Sequence, residues 1–147
     1  MIDYNATLDK FFEETIKWLE KRAKNAKDTR IHQQVLKSIG AVRTIAANPM
    51  KYSDYAQRVQ AGLEESVGAG FMAGTNDNNV YLIYNKVLHH MGKLNSDFDY
   101  EREEAQKVLL NATKAIGYKN STNILKDFYY PFMSSERFAV KAPSKEK

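Results

Sequence analysis

The chain contains no cysteine and few prolines, with three among its 147 residues. The absence of cysteine excludes disulfides, thiolate metal sites and cysteine nucleophiles, and it fits a reducing compartment. No apolar run approaches the roughly 18 residues that a membrane-spanning helix needs. Residues 1–5 also lack the basic and apolar regions of a signal peptide. We therefore expect a cytoplasmic or other intracellular protein, or a virion-associated one, that makes no membrane contact.

Strand signals are also missing, because no segment alternates apolar and polar residues between two turns. Apolar residues instead recur at spacings of three and four. Hydrophobic residues, counted with alanine and tyrosine, make up 43% of the chain. This pattern predicts an all-α fold, a single-domain bundle of five to six helices over residues 1–133. A basic C-terminal tail or docking arm is expected over residues 134–147.

Capping residues and helix breakers place the predicted helices. We expect five longer helices at about residues 3–27, 29–47, 50–73, 80–91 and 97–116, and a short sixth from residue 121. The signals are Asp28 as an N-cap, Asn48-Pro49 as a stop, Gly74 as a left-handed cap, Gly92 as an end and Ser96 with Asp99 as a capping box.

Charge is unevenly distributed along the chain, which has a net charge of +4. Residues 1–58 carry +4, residues 59–104 carry −5 and residues 105–147 carry +5. Such blocks favour self-association or a bipolar surface.

A glycine-rich segment, residues 61–74, is the most informative feature of the sequence, with four glycines in fourteen positions. Each glycine weakens a helix by roughly 1 kcal/mol relative to alanine, so something is expected to approach closely there. A phosphate loop is disfavoured, because these glycines close a helix and no lysine follows them. Helical spacing predicts a small-residue interface on which a helix of this chain or of another copy packs: Gly62, Ser66, Ala69, Gly70 and Ala73.

Two further sets of residues are candidate binding surfaces. Aromatic side chains near the C-terminus could lock onto the bundle or anchor a partner: Tyr129, Tyr130, Phe132 and Phe138. Basic side chains crowd the end of the first helix, where they suit the helix dipole or could contact a nucleic-acid backbone: Lys17, Lys21, Arg22, Lys24, Lys27 and Arg30.

Signals for catalysis or cofactors are weak. His89 and His90 are adjacent, and neighbouring helical positions point about 100° apart, so the pair cannot chelate one metal as an i, i+4 pair does. The acidic residues 97–104 suit a helix N-terminus. We predict no catalytic residue, metal or cofactor, and a non-enzymatic helical interaction or assembly protein that contacts a protein partner, itself, or both.

Two alternatives remain beside this hypothesis. The first is a nucleic-acid-binding protein that uses the basic end of the first helix and the tail. The second is an enzyme with Glu64, Glu65 or His89 in a cleft between the third and fourth helices. The lysine, asparagine and tyrosine content is typical of AT-rich genomes, so a virus-encoded accessory or structural component is among the roles considered.

Overall fold

The structure, a computed structural model, describes residues 4–74 and 79–116. Six α-helices follow one another in this part of the chain: α1 Tyr4–Asn25, α2 Thr29–Ala47, α3 Tyr55–Gln60, α4 Leu63–Met72, α5 Asn79–Met91 and α6 Asp99–Ile116. Short 3₁₀ turns cover Lys51–Ser53 and Gly92–Asn95. The described residues form no strand, and the predicted all-α single-domain bundle is confirmed. The predicted tail, residues 134–147, and the predicted short sixth helix lie outside the described residues.

The predicted capping signals are largely confirmed. The Asp28 carboxylate accepts a hydrogen bond from the Arg30 backbone N–H at 2.8 Å, and Gly74 adopts a left-handed φ of 69° after α4. The predicted capping box is wrong, because Ser96 pairs with a different carboxylate from the one expected. Ser96 Oγ accepts from the Phe98 N–H at 3.1 Å and donates to Glu101 Oε1 at 2.5 Å. Asp99, the predicted partner, pairs with Arg102 instead.

The predicted long third helix is also wrong, because the chain turns twice within it. A 3₁₀ turn and the short helix α3 precede a break at Gly62, whose φ is 74°, and α4 begins at Leu63. Asp54 caps α3 by accepting from the Ala56 N–H at 2.9 Å. Glycine adopts the left-handed region at no steric cost, so Gly62 ends one helix and begins the next.

The core lies between α1, α2, α4, α5 and α6, and α4 packs against α2. On α1, side chains at spacings of three and four are buried from Leu8 to Ala23, and α5 buries seven of its 13 residues. Phe11 and Trp18, seven residues apart on α1, contact other aromatic rings. Phe11 stacks on Tyr84 with centroids 6.2 Å apart, and Trp18 stacks on Phe71 at 5.5 Å.

None of the described helices combines the length and the apolar content that crossing a bilayer requires.

Candidate functional site

A groove of about 520 Å³ opens beside the second half of α1. We call it the basic groove. Its walls also include the start of α2, the end of α4 and the last residue of α6, and its principal lining residues are Lys17, Trp18, Lys21, Arg22, Ile31 and Ile116. The volume falls within the roughly 300–1,000 Å³ of cavities that hold ligands.

The side chains of Trp18 and Arg22 are fixed by contacts on α4. The Arg22 guanidinium lies 5.4 Å from the centre of the Trp18 ring and donates a hydrogen bond to the Ala73 carbonyl oxygen. The indole in turn stacks on the buried ring of Phe71, with an interplanar angle of 21°. A cation held over an aromatic ring in this way gains roughly 0.5–2 kcal/mol. One wall of the groove is therefore preorganised.

The predicted basic residues of α1 divide into two groups. Lys17, Lys21 and Arg22 line the groove, and Glu14, which lies 3.7 Å from Lys17 and from Lys10, adds a single carboxylate to its edge. The other three are exposed around the α1–α2 turn: Lys24, Lys27 and Arg30. Three cations at a concave surface favour an anionic or acidic ligand.

The small-residue set does not form one surface. Gly70 and Ala73 are buried, Ser66 is half-buried, and Gly62 and Ala69 are exposed. A Cβ atom added at Gly70 would lie 2.1 Å from Ser38 Cβ on α2. The close approach expected from the sequence therefore occurs within the chain at Gly70. Gly62 and Ala69 are accessible on the outside. The predicted aromatic residues Tyr129, Tyr130, Phe132 and Phe138 lie outside the described residues.

A second exposed feature, which the sequence analysis missed, lies where α6 begins. Phe98 and Tyr100 are 61% and 58% exposed, and their ring centroids are 6.0 Å apart. We call these two side chains the aromatic corner. Met50, also exposed, contacts the turn that precedes α6, because its sulfur accepts a hydrogen bond from the Asn95 amide at 3.4 Å. The signal of the aromatic corner in the sequence is that Phe98 and Tyr100 precede the buried α6 stripe, which begins at Ala105.

The basic groove and the aromatic corner lie at opposite ends of the bundle. Ile31 near the start of α2 and Ile116 at the end of α6 both line the groove. Met50 follows the end of α2, and Phe98 precedes the start of α6. Since a helix rises 1.5 Å per residue, each of these helices separates the two features by about 25 Å.

A buried polar cluster links α3, α4 and α5. Arg58, only 5% exposed, donates from Nε to Glu64 Oε1 at 2.9 Å across the Gly62 break. Tyr84 on α5 is fully buried, and its hydroxyl has no hydrogen-bond partner among the described residues. Burial, aided by the charge of Glu64, raises the pKa of Tyr84 well above its ordinary value of 10.0, against the opposing effect of Arg58. This cluster therefore has a structural role at the contact of α3, α4 and α5.

The candidate enzyme residues are distributed as follows. Glu64 is held by Arg58, while Glu65 and His89 are exposed. His90 is buried, with Nδ1 3.0 Å from the Lys86 carbonyl oxygen. Among the described residues, no group of three or more histidines and carboxylates is placed to hold a metal ion.

Comparison with known proteins finds no matching family model, no matching curated protein and no matching solved structure. The fold and the site therefore define only a class, a helical bundle with a basic groove at one end and an aromatic corner at the other.

Proposed function

We propose that this chain is a non-enzymatic helical protein that acts through protein–protein contacts and self-assembles. The observation that carries the proposal is the aromatic corner, where the neighbouring rings of Phe98 and Tyr100 are each more than half exposed. Burying apolar surface gains roughly 25 cal/mol per Å², and aromatic residues are enriched among those that dominate binding energy at interfaces.

The aromatic corner also contributes little to the core of its own bundle. The α6 residues that fill the core start at Ala105 and continue through Val108 and Leu109 to Ile116. Phe98 and Tyr100 lie ahead of this stripe and outside the hydrophobic core cluster. We assign these two neighbouring exposed rings to a contact with another protein, because contiguous exposed apolar surface marks interaction sites more often than single exposed residues do.

An accessory protein, an inhibitor, or a structural component of a larger, virus-encoded particle would each use an exposed docking surface of this kind. The accessible Gly62 and Ala69, and the C-terminal aromatic residues, remain predicted interface residues beside the aromatic corner.

Nucleic-acid binding is the second candidate, and the basic groove favours it. Lys17, Lys21 and Arg22 line the groove, and three further cations surround the adjoining turn. Neutralising nucleic-acid phosphates releases counterions, so such binding weakens steeply as salt is added. The acidic residues of the −5 central block would oppose it wherever they face the same ligand.

The decisive experiment is light-scattering mass on a sizing column, at low and moderate salt, with and without a short DNA duplex. An oligomer whose mass is unchanged by DNA is the expected result. A monomer that shifts only when DNA is present, and only at low salt, would overturn the proposal in favour of nucleic-acid binding. Any shift that DNA causes by binding in the basic groove should be abolished in the charge-reversed variant Lys17→Glu/Lys21→Glu.

A further inference from the structure

We propose that copies of this chain associate head to tail, with the aromatic corner of one copy docked in the basic groove of the next. The inference rests on the proposed self-assembly and specifies the two surfaces that meet. It follows from the charges of the two surfaces, from their shapes and from their positions in the bundle.

The charges are complementary. Residues 97–104 around the aromatic corner contain five carboxylates and one cation, Arg102, which is engaged with Asp99 and with the Ser96 carbonyl oxygen. The basic groove presents Lys17, Lys21 and Arg22 against a single carboxylate, Glu14, which lies 3.7 Å from Lys17, so its lining keeps a net positive charge although Arg22 is bound to the Ala73 carbonyl oxygen. Complementary potentials of this kind accelerate association and select the partner surface.

The shapes are also compatible in size. The corner projects two exposed aromatic rings with centroids 6.0 Å apart, whereas the groove is a concave space of about 520 Å³ with Trp18 and Ile31 among its apolar walls. A cavity of about 150 Å³ is enough to hold one benzene ring. The basic groove therefore has room for both rings, and the lysines at its rim can face the flanking carboxylates.

The positions of the two surfaces require a second copy. The α6 helix, with Phe98 just before its start and Ile116 in the groove, keeps the surfaces about 25 Å apart within one molecule. A corner can therefore reach only the groove of another molecule. Such a heterologous contact leaves one groove and one corner unused, so it continues into a ring or an open chain.

Other occupants of the groove are less well matched. Residues 117–147 of the same chain contain six basic and three acidic side chains, so their net charge has the same sign as the groove. A nucleic acid would satisfy the lysines, yet it would leave the aromatic corner without a role. A second copy accounts for both surfaces at once.

The test uses two variants of the full chain, each of which removes one surface. The groove variant is Lys17→Glu/Lys21→Glu, and the corner variant is Phe98→Ser/Glu103→Lys; all four side chains are exposed. Light-scattering mass is measured at about 0.01 M salt, where the Debye length is about 30 Å, and at about 1 M, where it is about 3 Å. Leu36→Ser and Lys37→Glu, exposed positions on α2, serve as matched controls.

We expect the wild-type chain and both controls to form oligomers whose mass falls at high salt. Each surface variant alone should be monomeric, and an equimolar mixture should form a one-to-one dimer, since it contains one intact groove and one intact corner. Oligomers that persist in both variants, or variants that fail to pair when mixed, would overturn the head-to-tail contact while self-assembly stands. A wild-type chain that is monomeric throughout would overturn the proposed self-assembly itself.

Discussion

Gly62 and Gly70 belong to the same glycine-rich segment, but the structure uses them in opposite ways. Gly62 lies in open space, where an added Cβ would meet no atom within 4 Å, and it is needed for its left-handed φ of 74°. Gly70 has helical geometry, and an added Cβ would lie 2.1 Å from Ser38 Cβ and 3.0 Å from the Gln34 carbonyl oxygen. One glycine sets the direction of the backbone and the other permits contact between α2 and α4.

The largest effect is expected at Gly70. Gly70→Leu would force α4 away from α2, disrupting the hydrogen bond that Ser38 Oγ donates to the Val67 carbonyl oxygen at 3.1 Å. Overpacking typically costs about 1–3 kcal/mol and more where the backbone must move. Because the added side chain would meet both Ser38 and the Gln34 carbonyl oxygen, urea unfolding should show a loss of more than about 3 kcal/mol, or no cooperative transition.

The neighbouring Ala69 provides the matched control, because it lies on the same helix and is exposed. Ala69→Leu should change the free energy of unfolding by less than about 0.5 kcal/mol. If the two variants were equally stable, the contact between α2 and α4 at Gly70 would not exist as described. A change of oligomeric mass in Ala69→Leu alone would instead support the predicted small-residue interface.

The second effect concerns the ion pair that spans the break at Gly62. Arg58→Ala would leave the Glu64 carboxylate, whose side chain is 22% exposed, without its cation. Removing one partner of a buried pair typically costs about 3 kcal/mol. Arg43→Ala, which removes a pair with Glu20 whose side chains are 60% and 52% exposed, should cost less than about 1 kcal/mol.

Thermal unfolding of both variants measures this difference. The double variant Arg58→Met/Glu64→Gln should recover part of the loss, since it leaves no uncompensated charge. Equal losses for Arg58→Ala and Arg43→Ala would show that the pair across Gly62 does not join α3 to α4.

The third effect, at Gly62 itself, is smaller. Gly62→Ala places a Cβ in the left-handed region without any clash and should cost about 1 kcal/mol. Gly40→Ala is the matched control, because Gly40 is helical, exposed and has no atom within 4 Å of an added Cβ. It should stabilise the chain by about 0.5–1 kcal/mol through helix propensity. Destabilisation of similar size in both variants would contradict the role assigned to the φ of Gly62.

These contrasts explain which features the sequence predicts. Periodicity and capping residues predict the helical class and most helix bounds, because hydrophobic spacing and residues such as Asp28 act locally. The break at Gly62 was missed because the segment around it still matches a helical pattern. Only the three-dimensional packing distinguishes a glycine required by its dihedral angle from one required by a neighbouring helix.

In the candidate site, too, local sequence predicts some features and three-dimensional packing determines the others. The basic run on α1 could be found in the sequence, whereas its assembly into a groove depends on Ile31, Ala73 and Ile116 from three other helices. The exposure of Phe98 and Tyr100 depends on where α6 begins, and at that point the Ser96 hydroxyl pairs with Glu101 instead of the predicted Asp99. Long-range packing and a shift of a few residues at a helix start are not encoded in local spacing.

The smallest effect at neutral pH is expected at Tyr84. Its ring contacts Phe71, which follows Gly70, and the charge of Glu64, which follows Gly62, helps to raise the pKa of its hydroxyl. Because this buried hydroxyl has no partner among the described residues, Tyr84→Phe should be neutral or stabilising by up to about 1 kcal/mol near pH 7. The difference should grow in alkaline solution.

The direction of that growth follows from the raised pKa of Tyr84 in the folded chain. Above pH about 10 the unfolded chain loses a phenolic proton that the folded chain retains, so the free energy of unfolding falls by up to about 1.4 kcal/mol per pH unit. Tyr84→Phe lacks this contribution and should therefore unfold at higher pH than the wild-type chain in an alkaline titration followed by circular dichroism. Tyr55→Phe, at a side chain that is 63% exposed, is the matched control and should unfold together with the wild type. If Tyr84→Phe and Tyr55→Phe gave the same alkaline midpoint, the hydroxyl of Tyr84 would have to be solvated, which would contradict its burial beside Phe71 and Glu64.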